Sequence, residues 1–193
     1  MFYGIYKDLR DGAWQCLLIN KSSSLPIDVL AIAKKSKIRV VKNSQAAALL
    51  PGESGKSFFD GDEWFIIYDD SLSVSSARFT IAHELGHILL GHELAHAKYQ
   101  GAKEFTRKPR SEQQADMFAV RLLCPACILW ALDLHDAEDI AAVCKVPTEI
   151  AKQRAKRMEE LYQRNMFLTS KTEQTVYENF RQYIENTKRL RRY

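Results

Sequence analysis

The residues with the clearest chemical potential form the pattern His83-Glu84-Leu85-Gly86-His87, an HExxH sequence. On a helix, positions 83 and 87 lie one turn apart on the same face. Two imidazoles at this spacing can converge on one zinc ion at about 2.0–2.1 Å. Glu84 then lies beside the ion, where a carboxylate can take a proton from a metal-activated water. The pattern predicts zinc-dependent hydrolysis, with His83 and His87 as ligands and Glu84 as general base.

The sequence around this pattern predicts a buried helix with one narrow polar face. Thr80, His83, Glu84 and His87 share that face, and apolar residues fill the rest of the helical wheel. Three ionisable groups on such a helix are costly unless they are paired or bind a metal. The alternative is a helix with two hydrogen-bonded histidines and no metal. We expect Gly86 to let another backbone pack closely against this helix.

A catalytic zinc site usually has three protein ligands and one open position. A helix predicted over residues 111–123 offers a third ligand, because Glu112 and Asp116 begin the same stripe as its core-facing apolar residues. A carboxylate on such a stripe needs a cation, so we predict Glu112 as a ligand. Asp116, one turn later, is predicted to accept the free N–H of a ligating histidine. Alternatively, Glu112 only complements the helix dipole.

A second HExxH pattern follows at once, from His92 to His96. If the first helix continued, His92 would point away from His83, and Gly91 is a residue that typically ends a helix. We therefore predict the active site at the first copy. His92 or Tyr99 could still reach it as a hydrogen-bond donor to the transition state.

Short β-strands are predicted in the N-terminal part of the chain. Met1–Tyr6 and Trp14–Ile19 flank Asp11-Gly12, which suggests a hairpin. Ser24 resembles a helix N-cap, with Pro26 in the first turn. A strand over residues 38–41 and a hairpin around residues 60–62 follow. Gly52 to Ser57 resembles a phosphate-binding loop, but the first glycine of that motif is missing and no helix follows, so we reject it.

The rest of the chain shows helical periodicity. Helices are predicted over residues 78–90, 111–123, 126–134, 137–144, 148–164 and 173–190. The predicted class is α+β, with a small N-terminal β-sheet and helices, a zincin-like active-site helix and a helical C-terminal half. We divide the chain into a zinc metallopeptidase core, residues 1–135, and a helical C-terminal appendage, residues 136–193.

The composition is that of a globular protein. The chain has 193 residues, of which 46% are hydrophobic and 27% charged. We find no apolar stretch of about 20 residues to span a membrane, and charges interrupt any signal peptide in the first 12 residues. We therefore expect a cytoplasmic protein with reduced cysteines. The CxxC pair Cys124 and Cys127 is expected to serve packing.

The net charge of +4 is uneven, with −2 over residues 1–144 and +6 over residues 145–193. Residues 136–158 resemble a helix-turn-helix, with Thr148 as an N-cap, and the second helix has a basic run of Lys152, Gln153, Arg154, Lys156 and Arg157. Nearby glutamates dilute this charge, so DNA binding is not our leading prediction. The basic loop Lys98–Arg110 and the tail Lys188–Arg192 are candidate docking surfaces for an acidic patch on a partner.

Two runs of sequence closely resemble the motifs of the ImmA/IrrE family of metallopeptidases. The first is RFTIAHELGHILLGH, residues 78–92, and the second is EQQADMFAVRLLCP, residues 112–125. The resemblance covers about residues 24–160 and implies that His83, His87 and Glu112 bind zinc while Glu84 is the general base. Two departures are Gln114, where a second acidic residue is common, and Cys124, where methionine is usual.

The same resemblance implies a function. Members of this family cleave a helix-turn-helix repressor and so turn genes on, and several are encoded by mobile elements. The chain has no N-terminal DNA-binding domain and no long C-terminal sensor domain, so we expect the short, mobile-element type. The leading prediction is a cytoplasmic zinc endopeptidase that cleaves such a repressor. The alternative is a catalytically weak, zinc-containing regulatory protein that binds a partner or DNA.

Overall fold

The computed structural model describes residues 3–92 and 109–190, with side chains from Asp8 onward. The described elements, in chain order, are α1 (Tyr3–Ile19), α2 (Val29–Lys35), β1 (Ile38–Lys42), α3 (Asn43–Ala46), β2 (Gly55–Phe59), β3 (Trp64–Tyr68), α4 (Val74–Leu89), α5 (Arg110–Leu123), α6 (Ala126–Ala131), α7 (Ala137–Cys144), α8 (Thr148–Gln163) and α9 (Lys171–Leu190). This order confirms the predicted α+β class with a helical C-terminal half.

The elements form two compact units. One is Val29–Ala119, and the other consists of the described parts of Met1–Asp28 and Val120–Tyr193. We call them the sheet unit and the helical unit. The proposed division into a core of residues 1–135 and an appendage of residues 136–193 stays a prediction.

The sheet unit is built on three strands in the order β1-β3-β2. β1 pairs with β3 in parallel, and β2 pairs with β3 antiparallel. The predicted hairpin joins β2 and β3, where Asp60 Oδ1 accepts the backbone N–H groups of Asp62 and Glu63, each at 2.9 Å. α4 packs on β2 and β3, and its apolar residues Ile81 and Leu85 are buried. The sheet thus supports the helix that carries the HExxH pattern.

Both ends of α4 are set by local sequence. Ser73 is the N-cap, and its side chain accepts the backbone N–H of Ser76 at 3.2 Å. At the other end, Leu90 is the C-cap and Gly91 adopts a positive φ of 65°, a conformation that favours glycine. The helix therefore ends where the sequence predicted.

The helical unit contains two kinds of packing. α9 packs against α1 and α6 through Val176, Phe180 and Ile184, all of which are buried. α7 and α8 form a helical pair, where Asp136 caps α7 by accepting the N–H of Asp139 at 2.8 Å. The helices predicted after residue 111 are all found, within a few residues at their ends.

The predicted N-terminal hairpin is wrong, because α1 runs through it as one helix. Leu9, Ala13, Trp14 and Leu17 are buried and recur at helical spacing. Gly12 does not break the helix, since glycine inside a helix costs only about 0.5–1 kcal/mol. The burial of this apolar stripe outweighs the turn preference of Asp11-Gly12.

Two predicted helix starts are also corrected. The helix assigned to Ser24 begins only at Val29, and Pro26 disfavours the helical conformation that Leu25 would need in a helix capped by Ser24. In α8, the N-cap is Pro147, and Thr148 is the first helical residue.

The basic run of α8 does not form one exposed face. Arg154 is buried, at 6% exposed. Lys152 pairs with Glu149 at 2.8 Å, and Arg157 pairs with Glu160. The prediction of a basic helix face that includes Arg154 is therefore wrong, because Arg154 lies on the buried side of α8.

One helical stretch, Arg110–Ala131, is long and apolar enough to cross a membrane, but 67% of its apolar window is buried inside the protein. Such burial is typical of the core helix of a soluble protein. All four cysteines are free and buried, and burial raises the pKa of the Cys127 thiol to about 12. These thiols are packed in the interior, as expected for the CxxC pair.

Several predictions concern residues outside the described ranges. They are the end of the second HExxH pattern at Glu93–His96, Tyr99, most of the basic loop Lys98–Arg110, and Arg191 and Arg192 of the tail.

Candidate metal centre

α4 and α5 meet closely at Gly86. A Cβ atom placed on Gly86 would lie 3.1 Å from Phe118 Cδ1 and 3.2 Å from the Cα of Ala115. Both distances are tighter than ordinary van der Waals contact, so glycine is what allows this approach. The expectation that Gly86 admits another backbone is confirmed. The approach brings the carboxylates of α5 to the histidines of α4.

Three ligating groups converge at this crossing. The Nε2 atoms of His83 and His87 lie 3.0 Å apart. Glu112 places Oε2 at 3.3 Å from His83 Nε2 and Oε1 at 3.2 Å from His87 Nε2. Tetrahedral ligands about 2.1 Å from zinc would be separated by about 3.4 Å. The three side chains therefore fit one tetrahedrally bound ion, and the group is of the kind that could hold a metal.

The predicted outer partner also lies in place. His83 donates from Nδ1 to Asp116 Oδ1 at 2.8 Å. This bond fixes the imidazole ring and leaves Nε2 facing Glu112. Burial lowers the pKa of His83, but its hydrogen bonds to Asp116 and Glu112 outweigh burial and raise this pKa to about 9. Without a metal, His83 would thus carry the cation that balances the two carboxylates.

The same contacts also shift the pKa of Glu112. Hydrogen bonds from His83 and His87 hold the pKa of Glu112 far below its usual range, although burial acts in the opposite direction. The carboxylate is therefore ionised at any ordinary pH, which is the form that binds a metal. Glu112 supplies an anionic oxygen between two imidazoles, and its role is more specific than complementing the dipole of α5.

Glu84 lies beside this group and is itself buried, at 3% exposed. Its Oε2 accepts a hydrogen bond from Ser57 Oγ at 2.8 Å. Ser57 belongs to β2 and is also buried. The sequence did not predict Ser57 as a site residue. It was noted only as the end of the rejected phosphate-binding pattern. Its position on a strand two residues after Gly55 is the one signal that could have indicated it.

Gly55 explains how β2 comes this close to α4. A Cβ on Gly55 would overlap Thr80 Cγ2 and lie 3.6 Å from Glu84 Cγ. A larger residue at this position would push the strand away from the helix. The glycine therefore allows β2, at one edge of the sheet, to bring Ser57 to Glu84.

His92 contacts the site through His87. The Nδ1 atoms of the two rings lie 3.2 Å apart, and His92 Nε2 donates to Gln114 Oε1 at 3.0 Å. Burial and the nearby His87 lower the pKa of His92, so its neutral form is favoured. A neutral His92 with its proton on Nε2 can accept the Nδ1 proton of His87. That arrangement leaves His87 Nε2 free to bind a metal.

The structure thus brings four predicted site residues together, namely His83, His87, Glu112 and Asp116, and Glu84 interacts electrostatically with His83. His92, one of the two residues that could donate to the transition state, lies against the ring of His87, and its role as such a donor stays a prediction. Gln114 replaces the acidic residue common at its position, and here its Oε1 accepts a hydrogen bond from His92.

Comparison with sequence models of protein families gives a match. The sequence model of the family described as Peptidase M78, IrrE N-terminal-like domain, matches residues 33–156. The match covers well over half of the chain and includes every residue of the candidate centre. A search among curated proteins found no significant match.

Proposed function

The chain belongs to the M78 peptidase family, the IrrE N-terminal-like domain, and from that membership we propose that it is a zinc-dependent endopeptidase. Membership of this family supports metallopeptidase activity. The types of the three ligating side chains support zinc as the ion. Two histidines and one glutamate form a ligand set that catalytic zinc sites of hydrolases use. His83, His87 and Glu112 would hold the ion.

One observation carries the proposal. The ligating atoms of His83, His87 and Glu112 all lie within 4.8 Å of one another, and Glu84, which accepts a hydrogen bond from Ser57, interacts electrostatically with His83. Three ligands and a neighbouring base are what metal-assisted hydrolysis needs. A purely structural zinc site usually has four protein ligands, and the metal-ligating group found among the described residues has three.

Zinc bound there would supply Lewis-acid chemistry, lowering the pKa of a water molecule to about 7 and polarising the peptide carbonyl. Glu84 acts as the base that takes the proton of the attacking water. It then delivers this proton to the nitrogen of the leaving amine, so one carboxylate serves as base and acid. Ser57 donates to Oε2 of Glu84 and thereby orients Oε1 for the transfer.

Two other side chains position the ligands. Asp116 holds the ring of His83, and His92 with Gln114 holds the ring of His87. Such outer contacts set the tautomer of a ligating histidine. Each histidine is therefore oriented before a metal binds.

The substrate that we propose is a specific cytoplasmic protein, a helix-turn-helix repressor encoded beside this chain, whose cleavage would turn genes on. The motif resemblance at residues 78–92 and 112–125 supports this substrate. A cytoplasmic peptidase must also discriminate among its neighbours to be tolerated by the cell. Docking through the basic loop Lys98–Arg110 and the tail Lys188–Arg192 would provide such discrimination and would weaken with salt.

The test uses zinc-loaded protein with the neighbouring repressor and, separately, with casein. We expect the repressor to be cut once or at few sites, more slowly at high salt, and casein to remain intact. A chelator should stop cleavage, and added zinc should restore it. Glu84→Gln should bind zinc but not cleave, because glutamine cannot accept the proton.

The matched control is Glu93→Gln, the same change in the second HExxH pattern, which should cleave normally. If Glu93→Gln is inactive and Glu84→Gln is active, the catalytic centre lies at His92–His96. Rapid digestion of casein would contradict the proposed specificity.

A further inference from the structure

The helical unit contains a cavity of about 340 Å³ that the metal centre does not use. Five arginines line it: Arg10, Arg121, Arg154, Arg157 and Arg164. The acidic residue in this lining is Glu173. Small-molecule sites have volumes of about 300–1,000 Å³, so the cavity suits a small ligand and is too small for a folded partner.

Arg154 is the residue that makes this cavity unusual. It is 6% exposed, and its Nε has no hydrogen-bond partner in the described structure. Burial lowers the pKa of its guanidinium. A buried cation is expensive unless an anion or several acceptors meet it.

The groups near Arg154 do not neutralise it. Glu173 interacts with it electrostatically, but Glu173 Oε2 accepts the backbone N–H of Thr169 at 3.0 Å and forms no ion pair with Arg154 among the described residues. Cys127 also lies within electrostatic range. Its pKa is raised to about 12 by burial, so this thiol stays neutral. Among the described residues, no carboxylate forms an ion pair with Arg154 and its Nε has no acceptor, so an anion from outside the unit would have a place to bind.

Some of the other arginines in the lining form ion pairs. Arg10 pairs with Asp11 at 3.1 Å and lies over the ring of Trp14, and Arg157 pairs with Glu160. Even so, the lining holds five guanidinium groups against one carboxylate. Guanidinium groups match phosphate oxygens with paired N–H donors. Apolar lining residues, among them Leu161 and Met166, offer a surface for a nonpolar body.

We propose that this cavity binds a small phosphorylated molecule, whose phosphate group meets Arg154 and Arg164 and whose nonpolar part lies against the apolar lining. The proposal does not depend on the peptidase activity. It assigns the helical unit a ligand of its own.

The test is calorimetric titration of the full-length, zinc-loaded protein with adenosine 5′-monophosphate and with inorganic phosphate. Adenosine and sodium chloride at matched ionic strength serve as ligand controls. We expect one bound AMP per chain, weaker binding of phosphate, and no binding of adenosine. Arg154→Met and Arg164→Met should each weaken AMP binding about tenfold to a hundredfold, since hydrogen bonds to charged groups contribute that much.

Lys156→Met is the matched control, because it removes a positive charge from the same helix and does not line the cavity. It should bind AMP as the parent protein does. The melting temperature of each variant without ligand shows that it is folded, and Arg164, which is exposed, serves if Arg154→Met does not fold. The proposal is overturned if neither AMP nor phosphate binds, or if binding survives in a folded Arg154→Met or Arg164→Met variant.

Discussion

The two units treat buried ionisable groups in opposite ways. In the sheet unit, His83, His87, Glu112 and Asp116 contact one another at 2.8–3.3 Å. Each side chain there has a partner inside the unit. In the helical unit, Arg154 is buried with an unsatisfied Nε. One unit contains a network that is complete by itself, and the other contains a charge that is not compensated from within.

The paired network and the uncompensated charge favour ligand binding in two different ways. A complete network fixes the positions of ligands before the metal arrives, so little has to be reorganised on binding. An uncompensated charge instead destabilises the free protein and makes an anion bind more favourably. Mutations should therefore have opposite effects in the two units: removing a member of the network should be harmful, and removing the lone charge should stabilise the free protein.

The largest effect is expected from His83→Ala. This change removes a ligand and leaves Glu112 and Asp116 without a shared partner. Zinc content, measured by elemental analysis, should fall from about one per chain to nearly zero. Cleavage should fall by about a thousandfold or more, because several kcal/mol of transition-state stabilisation leave with the metal. His135→Ala, at a surface histidine that pairs with Asp133, should keep its zinc. Full zinc content in His83→Ala would refute the ligand assignment.

The next effect is a difference in zinc affinity between a variant of a proposed ligand and a variant of its outer partner. Glu112→Ala should weaken zinc affinity more than Asp116→Asn, because Glu112 faces Nε2 of both imidazoles whereas Asp116 contacts the outer nitrogen, Nδ1, of His83. For Asp116→Asn we expect a loss of about 10- to 100-fold. Competition with a chelating dye measures both constants. Equal or inverted losses would make Asp116 the third ligand.

A smaller effect of opposite sign is expected from Arg154→Met. Removing a buried, uncompensated charge while keeping apolar volume should raise the free energy of unfolding by about 1–3 kcal/mol. Urea denaturation without added anions measures this change. Lys156→Met, an exposed site on the same helix, should change it by less than about 0.5 kcal/mol. A clear loss of stability in Arg154→Met would mean that its charge is compensated after all.

The smallest effect is expected from Ser57→Ala. Losing the hydrogen bond to Glu84 should lower kcat by about five- to tenfold, since one such bond is worth about 1 kcal/mol, with zinc content unchanged. Ser71→Ala removes a hydroxyl from an exposed turn and should leave kcat unaltered. An unchanged kcat in Ser57→Ala would show that Glu84 is held without it.

The sequence predicted the centre of the site well because its members share two helices. Spacing of three and four residues decides which side chains share a helix face, so the positions of His83, His87, Glu112 and Asp116 followed from local rules. The crossing of α4 and α5 was foreseen only through Gly86. Local periodicity thus accounts for the ligands and for their outer partner on α5.

What the sequence could not predict depends on tertiary contacts. Ser57 reaches Glu84 because β2 passes close to α4 at Gly55, and the glycine two residues before Ser57 is the one sequence feature that indicates this approach. Arg154 resembled a solvated basic residue, since its neighbours are charged, yet the packing of the helical unit buries it. The N-terminal helix was missed because Asp11-Gly12 was given more weight than the buried stripe of Leu9, Ala13 and Leu17.

The central claim is that one zinc ion binds between α4 and α5. The most direct measurement is an anomalous difference map from a crystal of the zinc-loaded protein, collected on both sides of the zinc absorption edge. The account predicts one strong peak within about 2.0–2.2 Å of His83 Nε2, His87 Nε2 and a Glu112 oxygen, with Glu84 beside it but not bound. A peak at any other set of residues, or none at these three in a protein that retains zinc, would contradict it.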